Sequence, residues 1–339
     1  MNQTLKKSLP YGLTFIGILL FAFLTAKAGI GPIKTALAKV GFSGFFILVA
    51  LQLLINLGLG LSWKGSVPEM SWRRLTIARF VRDAAGSCLP FSQLGGMIAG
   101  LKATIPTPPT VDGQNSSPKI GWAESIAANI VDITCETLAQ IIFILLALLC
   151  LLGHQEAGQF IFPLIIGLVL LSAGIGGFIW TQQRSGNILK KIGLFLSRHI
   201  AAGWEESFHN HTDSFQTALE KLWDNPRHIA CGAFLHLVLW LSSAVVTWTA
   251  LYFLGVSVTI FDAIAIEGVV CGMMTVGFLV PGSLGVQEGA YMALGLVFGI
   301  STDISFSLSL LRRGRDIVIG VPVLLLWQLS EIRHLKKTL

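Results

Sequence analysis

Apolar runs long enough to cross a bilayer recur along the whole chain, and no other feature of the sequence constrains its fold as strongly. A helix needs roughly 20 apolar residues to traverse the hydrocarbon. Residues 11–28, 41–63, 136–152 with the turn before them, 160–181, 229–255 and 303–329 approach or reach that length. With 53% of its 339 residues apolar and only 12% charged, the chain lacks the polar surface a water-soluble core requires. The expected fold class is all-α, a polytopic transmembrane helical bundle forming one integral membrane domain over residues 1–339. The first run, preceded by Lys6 and Lys7 and closed by Ala26-Lys27-Ala28, has the outline of a signal peptide. At about 18 residues it exceeds the usual apolar region of such a signal and is read as a retained span.

Lysine and arginine placement orients the spans. Lys6 and Lys7 precede the first span, Arg73, Arg74, Arg79 and Arg82 follow the second, and Arg184, Lys190, Lys191 and Arg198 lie in the long connection 182–228. The loops 153–159 and 256–260 carry no lysine or arginine. The positive-inside rule therefore places both termini and the connection 182–228 in the cytoplasm of a bacterial inner membrane, with the two short loops outside. The loop carrying Lys27, Lys34 and Lys39 runs against this assignment. The net charge of +6 is explained by the same rule, and no nucleic-acid partner is implied.

The orientation balances only if two segments enter the membrane and return to the side they came from. Residues 72–102 are interrupted at Leu89-Pro90-Phe91-Ser92-Gln93-Leu94-Gly95-Gly96, and residues 261–300 at Val280-Pro281-Gly282-Ser283-Leu284-Gly285. Proline removes a backbone donor and glycine tolerates a tight reversal, so each break suits a hairpin tip. The expected architecture is about six full spans plus two re-entrant broken-helix hairpins. The halves 1–152 and 153–339 would form an inverted-topology repeat, the pattern that points to a transport site at the membrane midplane. The connection 182–228 mixes both charge signs with aromatic residues and is expected to lie as amphipathic helices on the cytoplasmic surface, and residues 104–119 read as a polar loop.

Ionisable groups inside a bilayer are costly and mark cavities or partners. Ser125, Asn129, Asp132, Glu136 and Gln140 share one helical stripe, and Ser305, Ser309, Arg312 and Asp316 share another, flanked by Arg313 and Arg315. Asp132 or Glu136 is expected to neutralise Arg312 or Arg315 across the halves, or the same cluster lines a path in which arginines grip a lipid phosphate. On the first hairpin Arg79, Arg82 and Asp83 lie on one face with Ser92 and Gln93 at the tip, and the second carries Glu267, Ser283, Gln287 and Glu288. Glu288 follows a glycine turn and suits a helix N-terminal cap or a substrate contact. His236, alone in an apolar span, reads as a hydrogen-bonded core residue. The five cysteines lack CxxC spacing and read as small buried apolar residues. No His-Glu-x-x-His motif, P-loop, dinucleotide fingerprint or Gly-x-Ser-x-Gly elbow occurs, so neither a metal nor a cofactor is expected and no catalytic residue is assigned.

Arg82-Asp83-Ala84-Ala85-Gly86 leading into the first break, Pro281-Gly282-Ser283-Leu284-Gly285-Val286-Gln287-Glu288-Gly289, and Ser309-Leu310-Leu311-Arg312-Arg313-Gly314-Arg315-Asp316 resemble the hopanoid-associated HpnL group. That group belongs to the superfamily resembling the transmembrane flippase region of lysylphosphatidylglycerol synthase. Gly314 stands where the group is expected to have alanine, a small-for-small change. The resemblance implies an inner-membrane protein tied to hopanoid synthesis or trafficking, with a lipid-flipping architecture and a membrane lipid as substrate. It does not imply lysyl transfer, since the chain is expected to close after its last span without the synthase domain. Translocation of an amphiphilic lipid is the leading reading. An integral-membrane transferase using Asp132, Glu136 or Glu288 as base is the second. A scaffold docking hopanoid enzymes through residues 182–228 is the third.

Topology is directly testable in a background lacking the native cysteines. Asn115→Cys and Ser207→Cys should be protected from an impermeant thiol reagent in intact cells, whereas His154→Cys should be labelled. Labelling at position 115 from outside would mean that the first broken segment crosses the membrane.

Overall fold

The computed structural model describes residues 30–89, 92–105, 121–151, 212–276, 283 and 285–338, with helical positions scattered between 162 and 176. The expected span 11–28, most of the span 160–181, residues 106–120, 182–211 and 277–282, and Pro90 with Phe91 lie outside the described residues. In chain order the helices are α1 (Ile30–Ser66), α2 (Trp72–Cys88), α3 (Ser92–Thr104), α4 (Trp122–Leu151), α5 (Thr212–Trp223), α6 (Pro226–Phe253), α7 (Ile260–Val276), α8 (Val286–Val297) and α9 (Thr302–Thr338). The chain is an all-α membrane protein.

Three described helices are long and apolar enough to cross a membrane: Ala38–Ser66 within α1, Trp122–Leu151 and Pro226–Phe253. The residues expected as a span at 136–152 are the second half of α4, which begins fourteen residues earlier because Ser125, Asn129 and Asp132 continue its helical stripe inward. α9 contains the expected span 303–329, but Arg312, Arg313, Arg315 and Asp316 make its first half much less apolar than the other three. Lys34 and Lys39, expected in a loop, lie in the helical segment of α1 that precedes a kink at Gly41, whose φ of 70° breaks the helix.

Both expected hairpin breaks are present as interruptions of helix. α2 ends at Cys88 and α3 starts at Ser92; α7 ends at Val276 and α8 starts at Val286. The limbs α2 and α3 pack closely side by side, and α7 packs on α8. Around them the packing follows an exchange. Swapping α1 with α6, α2 with α7, α3 with α8 and α4 with α9 converts close pairs among these eight helices into close pairs: α1–α2 into α6–α7, α3–α4 into α8–α9, α4–α7 into α9–α2, and α4–α6 into α9–α1; α5, packed on α4, has no counterpart among the described residues. α1 packs on α6, the pair that maps onto itself.

Small residues let these helices meet closely, since packing rather than hydrophobic exclusion holds helices together in lipid. α4 buries Ala123, Ala127, Cys135, Ala139, Phe143 and Ala147 along one face. At Gly268 of α7 an added Cβ would stand 2.3 Å from the Cβ of Ala147. Trp63 is fully buried and its indole Nε1 donates to the carbonyl of Ala128 at 3.0 Å, joining α1 to α4. The opposite surface is apolar and open, with Phe42 at 78% exposure and Leu54, Leu149, Phe234, Tyr252 and Leu326 also outward, as a lipid-facing belt requires. α5 is amphipathic. Leu219 is buried beside Trp63 and Ala127, while Lys221 bonds Glu69 of the α1–α2 turn at 2.8 Å, a contact that raises the lysine pKa above its ordinary value.

Gly96 fixes the spacing of the first hairpin. An added Cβ there would lie 2.7 Å from the Arg82 carbonyl oxygen and 3.2 Å from the Gly86 nitrogen. Gly96→Ala is therefore expected to cost about 1–3 kcal/mol, as overpacking against backbone does. Gly289→Ala, where a Cβ meets nothing within 4 Å, should be neutral or stabilising by up to about 1 kcal/mol. Thermal unfolding in detergent distinguishes the two.

Candidate functional site

The polar stripes of the sequence converge on a cavity of about 400 Å³ lined from both halves of the chain, by Arg79, Arg82 and Glu136 of the first and Glu267, Arg312 and Arg315 of the second. Two ion-pair clusters border it.

In the first, the Arg79 guanidinium forks onto Glu136. Its Nη2 donates to Oε1 at 2.6 Å and its Nη1 to Oε2 at 2.8 Å, while Nε donates to Asp83 at 3.0 Å. Arg82 donates to Asp132 at 2.7 Å and also to Glu136. Asp132, with a fully buried side chain, takes its remaining contact from His236, whose Nε2 lies 3.0 Å from Oδ1. Forked guanidinium–carboxylate bonds are among the strongest available and suit charges withdrawn from water.

In the second cluster Glu267 is the hub. Thr247 and Tyr291 each donate to its Oε2 at 2.8 Å, and Arg312 donates to its Oε1. Arg312 also donates to the Tyr291 oxygen at 2.7 Å. Beside it Arg313 bonds Glu288 and donates to the carbonyl of Ser283 at 3.2 Å. Glu288 closes the turn by accepting from the Gly285 amide at 2.8 Å, the N-terminal cap anticipated from the sequence. Ser283 is buried at a positive φ of 49°, and Gln287 donates to the Ser309 hydroxyl at 2.9 Å. Arg315 is only 8% exposed, and its hydrogen bond runs to its chain neighbour Asp316. Gln140 of α4 donates to Cys271 and Thr275 of α7, each at 2.9 Å, tying the halves together.

This pairing corrects the expected one. Asp132 and Glu136 bond Arg79 and Arg82, Asp132 also meets His236 of α6, and Arg312 bonds Glu267, so each stripe pairs chiefly with the hairpin limb of its own half. The limb packed against each stripe's helix comes from the other half, α7 on α4 and α2 on α9, so these long side chains reach their partners across the cavity they line. His236 is the hydrogen-bonded core residue that the sequence implied. Glu267, Thr247 and Tyr291 were not singled out as a group, because they come from three helices and share no periodicity. Ser92 and Gln93 fall in the first turn of α3, and their side chains lie outside the described residues.

The two clusters are related by position and reversed in sign. Arg79 and Glu267 are each the eighth residue of their hairpin limb. Asp132 and Arg312 are each the eleventh of the following helix. Because α2 packs on α9 and α4 on α7, the cavity has a mainly basic wall carrying Arg79, Arg82, Arg312, Arg313 and Arg315, with Asp83 and Asp316 among them. Facing it is an acidic wall carrying Glu136 and Glu267, with Asp132, outside the lining, bonded to Arg82. Oppositely charged residues facing one another across an opening can part to admit a charged group and re-pair behind it.

The family model of the lysylphosphatidylglycerol synthase TM region matches residues 11–323. The chain belongs to this family. Membership makes it a lipid-related membrane protein, in keeping with its apolar helices. No curated protein and no solved structure matches the chain. The family match spans both clusters and both hairpins, so the cavity belongs to the matched region and not to an appendage.

The observed pairing has an energetic signature. Glu136→Gln leaves two buried guanidinium groups short of a partner and should destabilise by about 3–5 kcal/mol, with much of the loss recovered when Arg79→Gln is added. A double-mutant cycle in detergent unfolding should give strong coupling for Arg79 with Glu136 and near-zero coupling for Asp132 with Arg315. The reverse result would restore the cross-half pairing.

Proposed function

We propose that this protein is a lipid translocase of the bacterial inner membrane that carries an amphiphile with an anionic headgroup between leaflets. The observation that carries the reading is the cavity, bordered by a basic and an acidic wall, inside helices whose outer faces are apolar. A lipid headgroup needs a polar path through hydrocarbon, and its tails need none. Interrupted helices in repeated positions, the usual surroundings of a midplane transport site, support the same reading. In it the two helical hairpins are re-entrant, the halves 1–152 and 153–339 form an inverted-topology repeat, and both termini are cytoplasmic. The resemblance to the hopanoid-associated group favours a polar hopanoid derivative or a phospholipid handled alongside hopanoids.

Arg315 is the first contact for the headgroup. The other cavity arginines bond carboxylates from other helices, whereas Arg315 bonds the residue next to it and keeps its remaining donors for an anion. Arg315→Gln should leave the unfolding midpoint within a few degrees of native, while slowing lipid transfer in reconstituted vesicles about tenfold or more, the scale of one lost charge-assisted bond. A stable variant with full transfer would remove Arg315 from the pathway. Lipid analysis of a deletion strain adds an independent check, because unchanged hopanoid chemistry with altered leaflet distribution is the outcome expected of transport and not of a transferase.

A further inference from the structure

His236 has a role that core packing does not explain. Its ring is fully buried, its Nε2 is spent on Asp132, and its Nδ1 has no hydrogen-bond partner among the described residues. A buried imidazole nitrogen without a partner costs stability, and His236 also lines the cavity. The charges around it do not balance while it is neutral. Arg79 and Arg82 face three carboxylates, those of Asp83, Asp132 and Glu136. One proton on the imidazole closes the deficit.

We propose that His236 and Asp132 form a proton-binding site whose occupancy frees Arg82 to capture the anionic group of the substrate. The proposal rests on the translocase reading and names its coupling ion.

The mechanism follows from shared partners. Asp132 divides its oxygens between His236 on one side and Arg82 and Arg79 on the other. When the imidazole becomes a cation its bond to Asp132 strengthens, and the acidic wall holds the guanidinium groups less tightly. Arg82, which lines the cavity, can then turn toward an anion. Loss of the proton restores the negative charge and draws Arg82 back, expelling the anion. Proton and anion thus bind with positive coupling, and each raises the affinity of the site for the other by the same factor.

The surroundings of His236 support this direction. α4 contributes Asp132, Glu136 and the thiol of Cys135, and α2 contributes Arg79, Arg82 and Asp83. α7 brings Glu267, already held by Arg312 of α9, and α1 brings the uncharged Asn56 and Gln52 to the cavity. His228 and Arg227 of its own helix stand two turns away at the N-terminal end. Histidine is the side chain whose proton exchanges near neutral pH.

The test uses the full chain reconstituted in vesicles of phosphatidylethanolamine and phosphatidylglycerol, with short-chain fluorescent phosphatidylglycerol as probe and albumin extraction to follow transfer. Native protein should transfer the probe about tenfold faster at about pH 5.5 than at about pH 8, a coupling within the usual range. His236→Gln keeps a donor where Nε2 points at Asp132 but cannot take up a proton, and its rate should change less than about twofold over the same interval. His236→Asn takes its place if the first variant does not fold. A native rate equal at both pH values overturns the proton site and leaves the translocase reading standing. If no probe moves under any condition, the translocase reading fails for this lipid, and a second arm decides the proton site separately. Binding of inorganic phosphate to the solubilised native protein should take up about one proton from a weakly buffered solution, and His236→Gln should abolish the uptake. Phosphate binding without proton uptake, or no phosphate binding, overturns the proposal.

Discussion

Everything in this bundle is arranged around the cost of holding ionised groups where no water can solvate them. A guanidinium removed from water is tolerated only when its donors are met by carboxylates or other acceptors in good geometry. The protein meets that demand twice, with Arg79 forked on Glu136 and with Arg312 on Glu267 and Tyr291. The supporting bonds from His236, Thr247 and Gly285 to Asp132, Glu267 and Glu288 occupy the carboxylate oxygens that remain. Helix ends, breaks and small-residue faces then read as devices for bringing those partners together. α2 and α7 are 17 residues each, and their eighth residues, Arg79 and Glu267, line the cavity.

Much of the fold was legible from hydropathy because its cause is local. The apolar runs become α1, α4 and α6, and the proline–glycine segments separate α2 from α3 and α7 from α8. Glu288 was legible as a cap because its glycine turn lies three residues away. Partner choice was not legible. Periodicity tells which residues share a face of α4 and of α9, but it carries no information about the helix that face meets. Equivalent stripes in two halves of a repeat suggest that they meet each other. The helices that meet their own equivalents are instead α1 and α6, and each charged stripe faces a hairpin limb. Glu267 and Tyr291, single polar residues in apolar stretches, gave a signal that only tertiary packing could join.

Sign reversal between the halves also bears on stability. Had both hairpin limbs carried arginine and both long helices carboxylate, each wall of the cavity would have held a mixture of signs, because α2 packs on α9 and α4 on α7. With the reversal, like charges gather. Five arginines stand on one wall with only Asp83 and Asp316 among them, and Glu136 and Glu267 stand on the other. Crowding like charges is unfavourable on each wall alone, and the attraction between walls is what offsets it. The charges that border the cavity are therefore the same ones that the proposed function has receive a substrate.

That arrangement fixes what an entering group must do. A neutral headgroup gains nothing from parting the walls, because it cannot replace the carboxylates that leave the guanidinium groups. An anion can, since it substitutes for a carboxylate at the same donors with the same planar or tetrahedral oxygen geometry. In the proposed function each bond broken at Arg82 or Arg312 is replaced by one to the substrate, and the carboxylate left behind needs a new partner, which a protonated His236 supplies for Asp132. When the anion departs, the carboxylates of the acidic wall are the nearest acceptors, and closure follows from the same attraction. In the proposed function the gate consists of two packed pairs of helices whose facing charges are satisfied by each other or by cargo.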